Sequence, residues 1–251
     1  MGEEREIVPT ASQGVLATWR APERAFNRFG LIDALTRVFA IVVQPGLDFG
    51  SEDVKRFAFD EASSLSAAVL ALESMVYEVH LTDYKTPDAY DSLVQMHFAI
   101  LRIGPAVTFA LREAIFAIER VARELSGWNA CYSVRLALEA AMMAVPTHWA
   151  SHYDGDTGRQ SYLHQFSLSD RLYYYWAEPC VENAVAELFE FVDTSVLPIS
   201  LISQFLPQRA RAVVTGDVAS SATALCRAHT KLALAPYADA CELHALDAVG
   251  M

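Results

Sequence analysis

Short apolar runs alternate with helical patterns in the first half of the chain. Residues 38–43, 75–80 and 97–103 are largely apolar and rich in β-branched side chains. Gly and Pro follow the first and the third of these runs. Apolar runs of this length, bounded by turn residues, are typical of buried strands. The pattern therefore predicts three strands.

Amphipathic segments separate these runs and predict helices. One opens at Asp60, and Thr86-Pro87-Asp88 opens the next with a hydroxyl N-cap, a proline and an acid in the first turn. A third extends from Pro105 to Leu125 and is followed by Gly127. Residues 38–125 thus form a β-α-β-α-β-α pattern, which predicts a parallel sheet with right-handed crossovers.

The two ends of the chain follow other patterns. Residues 1–21 show little periodicity, and a helix is expected to begin at Pro22. Beyond Gly127 only residues 196–202 resemble a strand, and Pro198 argues against one. Helices are expected at 130–150, 168–177, 179–193, 206–214 and 220–245. We therefore expect three regions: a loosely ordered N-terminus (1–21), an α/β domain (22–127) and a helical extension (128–251).

The number of strands limits the fold. A complete (β/α)8 barrel takes about 250 residues and eight strands. This chain has 251 residues, but its pattern predicts only three strands. It is therefore not a whole barrel. A small open α/β sheet with a helical appendage and an incomplete TIM (β/α) barrel are the two alternatives.

The charge balance narrows the choice of partners. The chain has 19 Lys and Arg against 31 Asp and Glu, a net charge of −12. Nucleic acid and anionic membrane surfaces would be repelled. No apolar run approaches the roughly 20 residues of a membrane span, and the acidic start of the chain does not resemble a signal peptide. Four widely spaced cysteines predict reduced thiols in a cytoplasmic protein.

Polar residues that could bind a ligand follow the second predicted strand. Strand periodicity places Glu78, His80 and Thr82 on one side, and Asp83 comes next. Parallel sheets bind ligands at the carboxyl ends of their strands, so these groups could contact a metal or a sugar hydroxyl. The alternative is a hydrogen-bonded cluster that stabilises the junction between strand and loop. The sequence leaves both open.

Two other sites are weaker candidates. Gly104 precedes a helix whose first N–H groups could bind phosphate, although a tight turn needs the same sequence. His148 and His152 lie one helical turn apart, but no third metal ligand accompanies them. The chain lacks the glycine-rich phosphate-binding motifs and the G-x-S-x-G nucleophile motif.

Several of these segments resemble one known family. The similarity extends in order from about Phe26 to about Cys241. The stretches that carry the resemblance are Leu35–Gly46, His80 with Thr82–Tyr84, His97–Leu101, Gly104–Ala106, Thr108–Ala114, Ser167, Ser169–Arg171, Tyr174–Trp176 and Ile202–Pro207. They resemble the non-catalytic subunit of class II D-tagatose-1,6-bisphosphate aldolase.

The resemblance implies a TIM-barrel core with a helical C-terminal extension. It implies a chain with no catalytic residues, metal or cofactor of its own, which acts beside a separate, zinc-bearing catalytic subunit. The pathway would be the breakdown of galactitol or N-acetylgalactosamine. Glu78, His80, Thr82, Asp83 and Gly104 would form what remains of a sugar-phosphate site. The family has also been labelled tagatose-6-phosphate kinase.

The chain also departs from this family. Family members are longer at the front, and a Gly-Gly-Asp-His stretch resembling the aldolase metal motif has no counterpart here. The resemblance therefore implies an N-terminally shortened subunit whose three strands match the last three of the family. Three hypotheses stay open: a stabilising subunit, an independent kinase or aldolase, and a non-functional fragment. An open three-stranded parallel sheet would leave unpaired edges and an uncovered core face, which would also allow a homo-oligomer.

Overall fold

The structure, a computed structural model, describes residues 8–72, 75–127 and 133–242. Within these ranges the chain forms three short strands, eleven α-helices and two 3-10 turns. The elements divide into two units. In the described part of the chain, the first unit comprises residues 8–49, 53–104 and 235–242, and the second comprises residues 50–52 and 105–234. No helix in these ranges combines the length and hydrophobicity needed to span a bilayer.

The strands of the first unit form one parallel sheet. Glu78 of the central strand stands opposite Val42 on one side and Ile100 on the other. The predicted α/β fold with three parallel strands is confirmed, whereas the assignment of these strands to a barrel stays a prediction. The strands lie in the order β1 (Ala40–Val43), β2 (Val76–Val79) and β3 (Ile100–Leu101).

Helices cover one face of this sheet. Tyr77 and Val79 point to that face and are completely buried, together with Leu65 and Leu93 from two of the helices. Burying each leucine side chain contributes about 1.5–3 kcal/mol to stability. The helices of the first unit are α1 (Ser12–Arg28), α2 (Ile32–Leu35), α3 (Phe59–Val69) and α4 (Pro87–Gln95).

The other face of the sheet is exposed or half-exposed, and we call it the open face. Its residues are those that alternate with the buried ones: Ala40, Val42, Val76, Glu78 and Ile100. Val42 is 55% exposed, and none of the five is buried. Parallel sheets are normally covered on both faces. Within the described part of the chain, this apolar face thus has no complete cover.

The second unit is helical. Its core includes Ile118, Leu138, Leu188 and Ile202, each from a different helix and each at most 1% exposed. Its helices are α5 (Pro105–Leu125), α6 (Val134–Ala144), α7 (Thr157–Phe166), α8 (Pro179–Asp193), α9 (Ile199–Phe205), α10 (Pro207–Thr215) and α11 (Ala222–Ala240), of which the last six residues belong to the first unit. The 3-10 turns are Pro146–His148 and Leu172–Tyr175.

The N-terminal region differs from the sequence prediction. Residues 12–21, expected to be loosely ordered, form the first part of α1, and Pro22 lies inside that helix. Val15 is buried, and Thr10 and Gln44 exchange two hydrogen bonds of 2.8 and 2.9 Å. The helix that forms here is amphipathic, and these tertiary contacts hold its start against the first unit.

Two segments of the second unit also differ from the prediction. In the region that resembled a strand, residues 199–202 begin α9, with Pro198 at the N-cap position and Ile202 buried in the core. Residues 168–177 form a loop and one 3-10 turn in place of a helix. There Arg112 donates hydrogen bonds to the Ser167 carbonyl and the Asp170 carboxylate, which holds the loop in a non-helical conformation.

The region boundaries at residues 21 and 127 stay a prediction. α5, which the sequence placed before the second boundary, belongs by its contacts to the helical unit. Cys180, Cys226 and Cys241 are free thiols.

Candidate functional site

The loop that follows β2 has an unusual backbone. Leu81 and Tyr84 adopt left-handed φ angles of 57° and 61° although neither is glycine. Such conformations cost on the order of 1 kcal/mol or more and persist only where surrounding contacts fix them. Thr82 and Asp83, which lie between these two residues, and Lys85, which follows them, supply those contacts.

Thr82 connects this loop to the end of β3 and to the end of α11. Its hydroxyl donates to the Arg102 carbonyl at 2.8 Å, because a carbonyl oxygen can only accept. The Tyr237 hydroxyl, also at 2.8 Å, must then donate to the Thr82 oxygen. Thr82 is completely buried. This bond joins residues 155 positions apart within the first unit.

Asp83 connects the same loop to Gly104. One carboxylate oxygen of the buried Asp83 accepts the Gly104 N–H at 2.9 Å. A β-carbon at Gly104 would meet nothing within 4 Å, so the space above its α-carbon is open. The Gly104 amide, a predicted phosphate donor, is therefore already engaged, while its α-carbon faces free space.

Lys85 connects the loop to the segment that follows β1. Its ammonium donates to the Asp48 carbonyl at 2.6 Å and to the Lys55 carbonyl at 2.9 Å. Burial lowers the pKa of Lys85, and the carboxylates of Asp48 and Asp83 oppose that shift. Thr82, Asp83 and Lys85 together fix the carboxyl edge of all three strands.

A tyrosine pair lies beneath this loop. Tyr90 donates to the Thr82 carbonyl at 3.0 Å and accepts from the Lys85 N–H at 3.1 Å. Its ring lies 4.2 Å from that of Tyr237. Burial raises the pKa of both phenols, so both remain protonated donors at neutral pH.

The accessible part of the edge consists of Glu78, His80 and Arg102. The Nε2 of His80 lies 2.8 Å from Glu78 Oε1, and the Arg102 guanidinium lies 3.4 Å from that nitrogen and 3.9 Å from the same carboxylate oxygen. A bond to a carboxylate requires a proton on Nε2. The side chains of Glu78, His80 and Arg102 are 26%, 40% and 64% exposed, respectively. They present a carboxylate, an imidazole and a cation to solvent.

The predicted site residues thus separate into two groups. Glu78 and His80 are in contact and accessible, as strand periodicity indicated. Thr82 and Asp83 are buried in the hydrogen-bonded junction, and Gly104 belongs to that junction through its amide. Whether any of them contacts a ligand stays a prediction.

Three contributors to the site were not among the predicted site residues: Lys85, Arg102 and Tyr237. Arg102 continues the periodicity of β3 and could have been found from it. Lys85 and Tyr237 follow no local pattern, because only the folded loop and the returning helix α11 bring them to the edge.

The histidine pair of the second unit makes separate contacts. The ring of His148 stacks on Tyr174 with centroids 4.4 Å apart, and His152 Nδ1 lies 3.1 Å from the Arg171 guanidinium. Burial and the Arg171 charge lower the pKa of His152. Across the described residues, no three His, Cys, Asp or Glu side chains converge in a way that could hold a metal ion.

Fold and site together define a class of protein. It is an α/β protein whose polar groups gather at the carboxyl edge of a parallel sheet, where such proteins bind ligands. Residues 1–242 match the family described as D-tagatose-1,6-bisphosphate aldolase subunit GatZ/KbaZ-like. The chain belongs to this family.

A solved structure is also similar. It is the crystal structure of a probable tagatose 6 phosphate kinase from Sinorhizobium meliloti 1021, 40% identical in sequence, with a TM-score of 0.89. The similarity covers 93% of this chain. The chain spans 60% of the length of that structure's chain.

Proposed function

We propose that this chain is a non-catalytic subunit that stabilises a class II D-tagatose-1,6-bisphosphate aldolase. In this proposal the zinc and the reacting groups lie on a separate catalytic subunit. The observation that carries the proposal is the family match over residues 1–242. The pathway would be the cytoplasmic breakdown of galactitol or N-acetylgalactosamine.

The edge geometry supports a non-catalytic role. Thr82 and Asp83 are buried and bonded to the loop after β3, which leaves them unsuited to proton transfer with a substrate. His80 and Glu78 supply one imidazole and one carboxylate, fewer ligands than the three protein groups of a catalytic zinc. The described residues of this edge therefore fit binding better than metal-assisted cleavage.

The open face supports association with a partner. We propose that β1–β3 correspond to three strands of an incomplete (β/α) barrel and that the catalytic subunit covers the open face in the assembly. An exposed parallel sheet face is unfavourable in water. Burying Val42 against a partner would contribute about 25 cal/mol of favourable free energy for each Å² of apolar surface removed from water. A homo-oligomer would cover the same face.

The experiment is co-expression with a cognate class II catalytic subunit. We expect co-purification, a longer half-life of aldolase activity in the complex, and no turnover by this chain alone. Val42→Lys should weaken co-purification, because it places a charge on the open face. Leu136→Lys is the matched control, since Leu136 is 66% exposed on α6. Failure of both co-purification and activity protection would contradict the proposal.

Glu78, His80 and Arg102 would bind a sugar phosphate in this proposal. The Arg102 cation suits a phosphate, and the Glu78 carboxylate suits sugar hydroxyls. His80→Ala and Gly104→Ala should each reduce thermal stabilisation by tagatose 6-phosphate. Gly104→Ala should fold normally, because its added methyl group meets open space. His97→Asn is the control, since Asn tolerates the φ of 69° at this exposed position. Equal stabilisation in all variants would contradict the role.

The name of the similar structure favours a second candidate, a tagatose-6-phosphate kinase. The chain contains no G-x-x-x-x-G-K-[ST] phosphate loop, which argues against one common type of kinase. ATP-dependent turnover of tagatose 6-phosphate by the purified chain would establish this candidate and replace the first. An aggregated chain that binds neither sugar phosphate nor partner would support the third hypothesis, a non-functional fragment.

A further inference from the structure

A large groove lies within the second unit between helices α5, α8 and α11. Its volume is about 670 Å³, which falls within the range of small-molecule sites, about 300–1,000 Å³. None of the residues at the sheet edge contributes to it. The groove is therefore separate from the candidate sugar-phosphate site.

Apolar side chains form most of the groove's wall. Leu111 and Ile115 project from α5, Val185 and Phe189 from α8, and Leu234 from α11. On each of α5 and α8 the pair is four residues apart, so each helix presents one apolar stripe to the groove. A wall of this kind favours a hydrocarbon chain over a sugar or a nucleotide.

Two cations lie at the rim on one helix. Arg227 and Lys231 both line the groove and stand one turn apart on α11. Like charges at this spacing repel each other. Within the described ranges neither side chain forms a hydrogen bond or ion pair. Glu182 of α8 is the acid that lines the groove, so the rim carries a net positive charge in a protein of net charge −12.

One buried donor also lies at the groove. Trp176 lines it, and the buried indole N–H of Trp176 has no hydrogen-bond partner in the described part of the protein. A buried donor without an acceptor costs stability. Because that nitrogen is enclosed by protein, an occupant of the groove would contact the Trp176 ring and not its N–H.

We propose that this groove binds an amphipathic monoanion, with a carboxylate head at Arg227 and Lys231 and a hydrocarbon chain along α5 and α8. The apolar wall supplies most of the affinity through burial of the chain. The two cations select an anionic head and thereby fix the direction of the ligand. This proposal does not depend on the aldolase role.

The test uses octanoate as the probe, with the full chain and isothermal titration calorimetry. We expect one site per chain that binds octanoate more tightly than octan-1-ol or octylammonium, and no binding of acetate. The double change Arg227→Gln/Lys231→Gln should weaken octanoate binding about tenfold. Arg24→Gln/Arg28→Gln is the matched control, because these exposed arginines stand four residues apart on α1.

A second pair of variants tests the groove itself. Ala186→Trp should block octanoate binding by filling the groove, whereas Asn183→Trp, at an exposed position outside the groove on the same helix, should not. Undetectable octanoate binding at millimolar concentration would overturn the proposal. Equal affinity for octan-1-ol would overturn the role of the cations. A dimer in the wild type that Ala186→Trp abolishes would mark the groove as a subunit interface and also overturn it.

Discussion

The two units of this protein stabilise their polar groups in different ways. In the first unit, Thr82, Asp83 and Lys85 bond to main-chain groups at one edge of a sheet that is covered on one face. In the second, a core enclosed by helices holds an ion pair between Arg112 and Asp170, each 1% exposed. In the first unit, several separate hydrogen bonds join polar side chains to main-chain groups. The second unit buries charged side chains directly, such as the pair Arg112 and Asp170, and Glu119, which pairs with Arg123.

This difference determines how each unit should respond to mutation. A bond to a backbone carbonyl contributes about 1 kcal/mol net, and losing one leaves the others in place. A buried charge whose partner is removed costs several times more. Single changes should therefore weaken the edge of the first unit gradually and the core of the second abruptly.

The largest effect is expected at the buried ion pair. Arg112→Met should destabilise the protein by about 3–5 kcal/mol, because it leaves the Asp170 charge buried without its cation. Arg112 and Asp170 lie 3.2 Å apart. Urea denaturation followed by circular dichroism measures the change. The double variant Arg112→Met/Asp170→Leu should recover much of the loss, and a single-variant cost below about 1 kcal/mol would contradict this account.

The next effect concerns Tyr77 and depends on pH. Burial raises the pKa of Tyr77 from 10.0 to about 12. The unfolded chain then ionises at lower pH than the folded one, so this contribution to stability is present below about pH 10 and is lost as the pH rises towards 12. The total loss is about 2–3 kcal/mol for this residue.

Tyr77→Phe isolates that contribution. At neutral pH the variant should be about 1 kcal/mol less stable, because the Leu65 carbonyl loses the hydroxyl that lies 2.9 Å away. The deficit should shrink above about pH 10 and reverse in sign before about pH 12, because the wild type loses more stability than the deficit at neutral pH. Urea denaturation at several pH values from 7 upward measures it. A deficit that is the same at every pH would contradict the raised pKa of Tyr77.

The smallest of the three effects is expected at Thr82. Thr82→Val keeps the shape but removes the hydroxyl between the Arg102 carbonyl and the Tyr237 phenol, at a cost of about 1–2 kcal/mol. Hydrogen exchange should show faster exchange at the Gly104 amide. Thr86→Val is the control, because Thr86 is an exposed N-cap whose side chain makes no cap bond. An equal loss of stability in Thr82→Val and Thr86→Val would contradict a stabilising role for the Thr82 hydroxyl at the sheet edge.

The strands and most helices could be predicted from sequence because their signals are local. Pro105–Leu125 was predicted with its observed bounds, since its periodicity and the glycine that follows suffice. Thr157–Phe166 was missed, because its polar and apolar residues are poorly segregated around the helix. Residues 196–202 were misleading, because burial of Ile202 among helices outweighed the strand preference of its β-branched neighbours.

The candidate site could be predicted only in part. Strand periodicity brought Glu78 and His80 together, because alternation is a property of the strand itself. The buried positions of Thr82 and Asp83 depend on bonds to the loop after β3, which no local pattern shows. An uncovered sheet face could be expected from the low number of strands, whereas the residues that lie on it follow from the observed strand pairing.

The bond between Thr82 and Tyr237 has a consequence for synthesis of the protein. Because Tyr237 lies 155 positions further along the chain, this contact cannot form on the ribosome until nearly all described residues have been translated. Domains made from one continuous stretch can fold as they emerge, whereas this sheet edge must wait. During translation the sheet edge thus lacks this hydrogen bond until the end of α11 has been made.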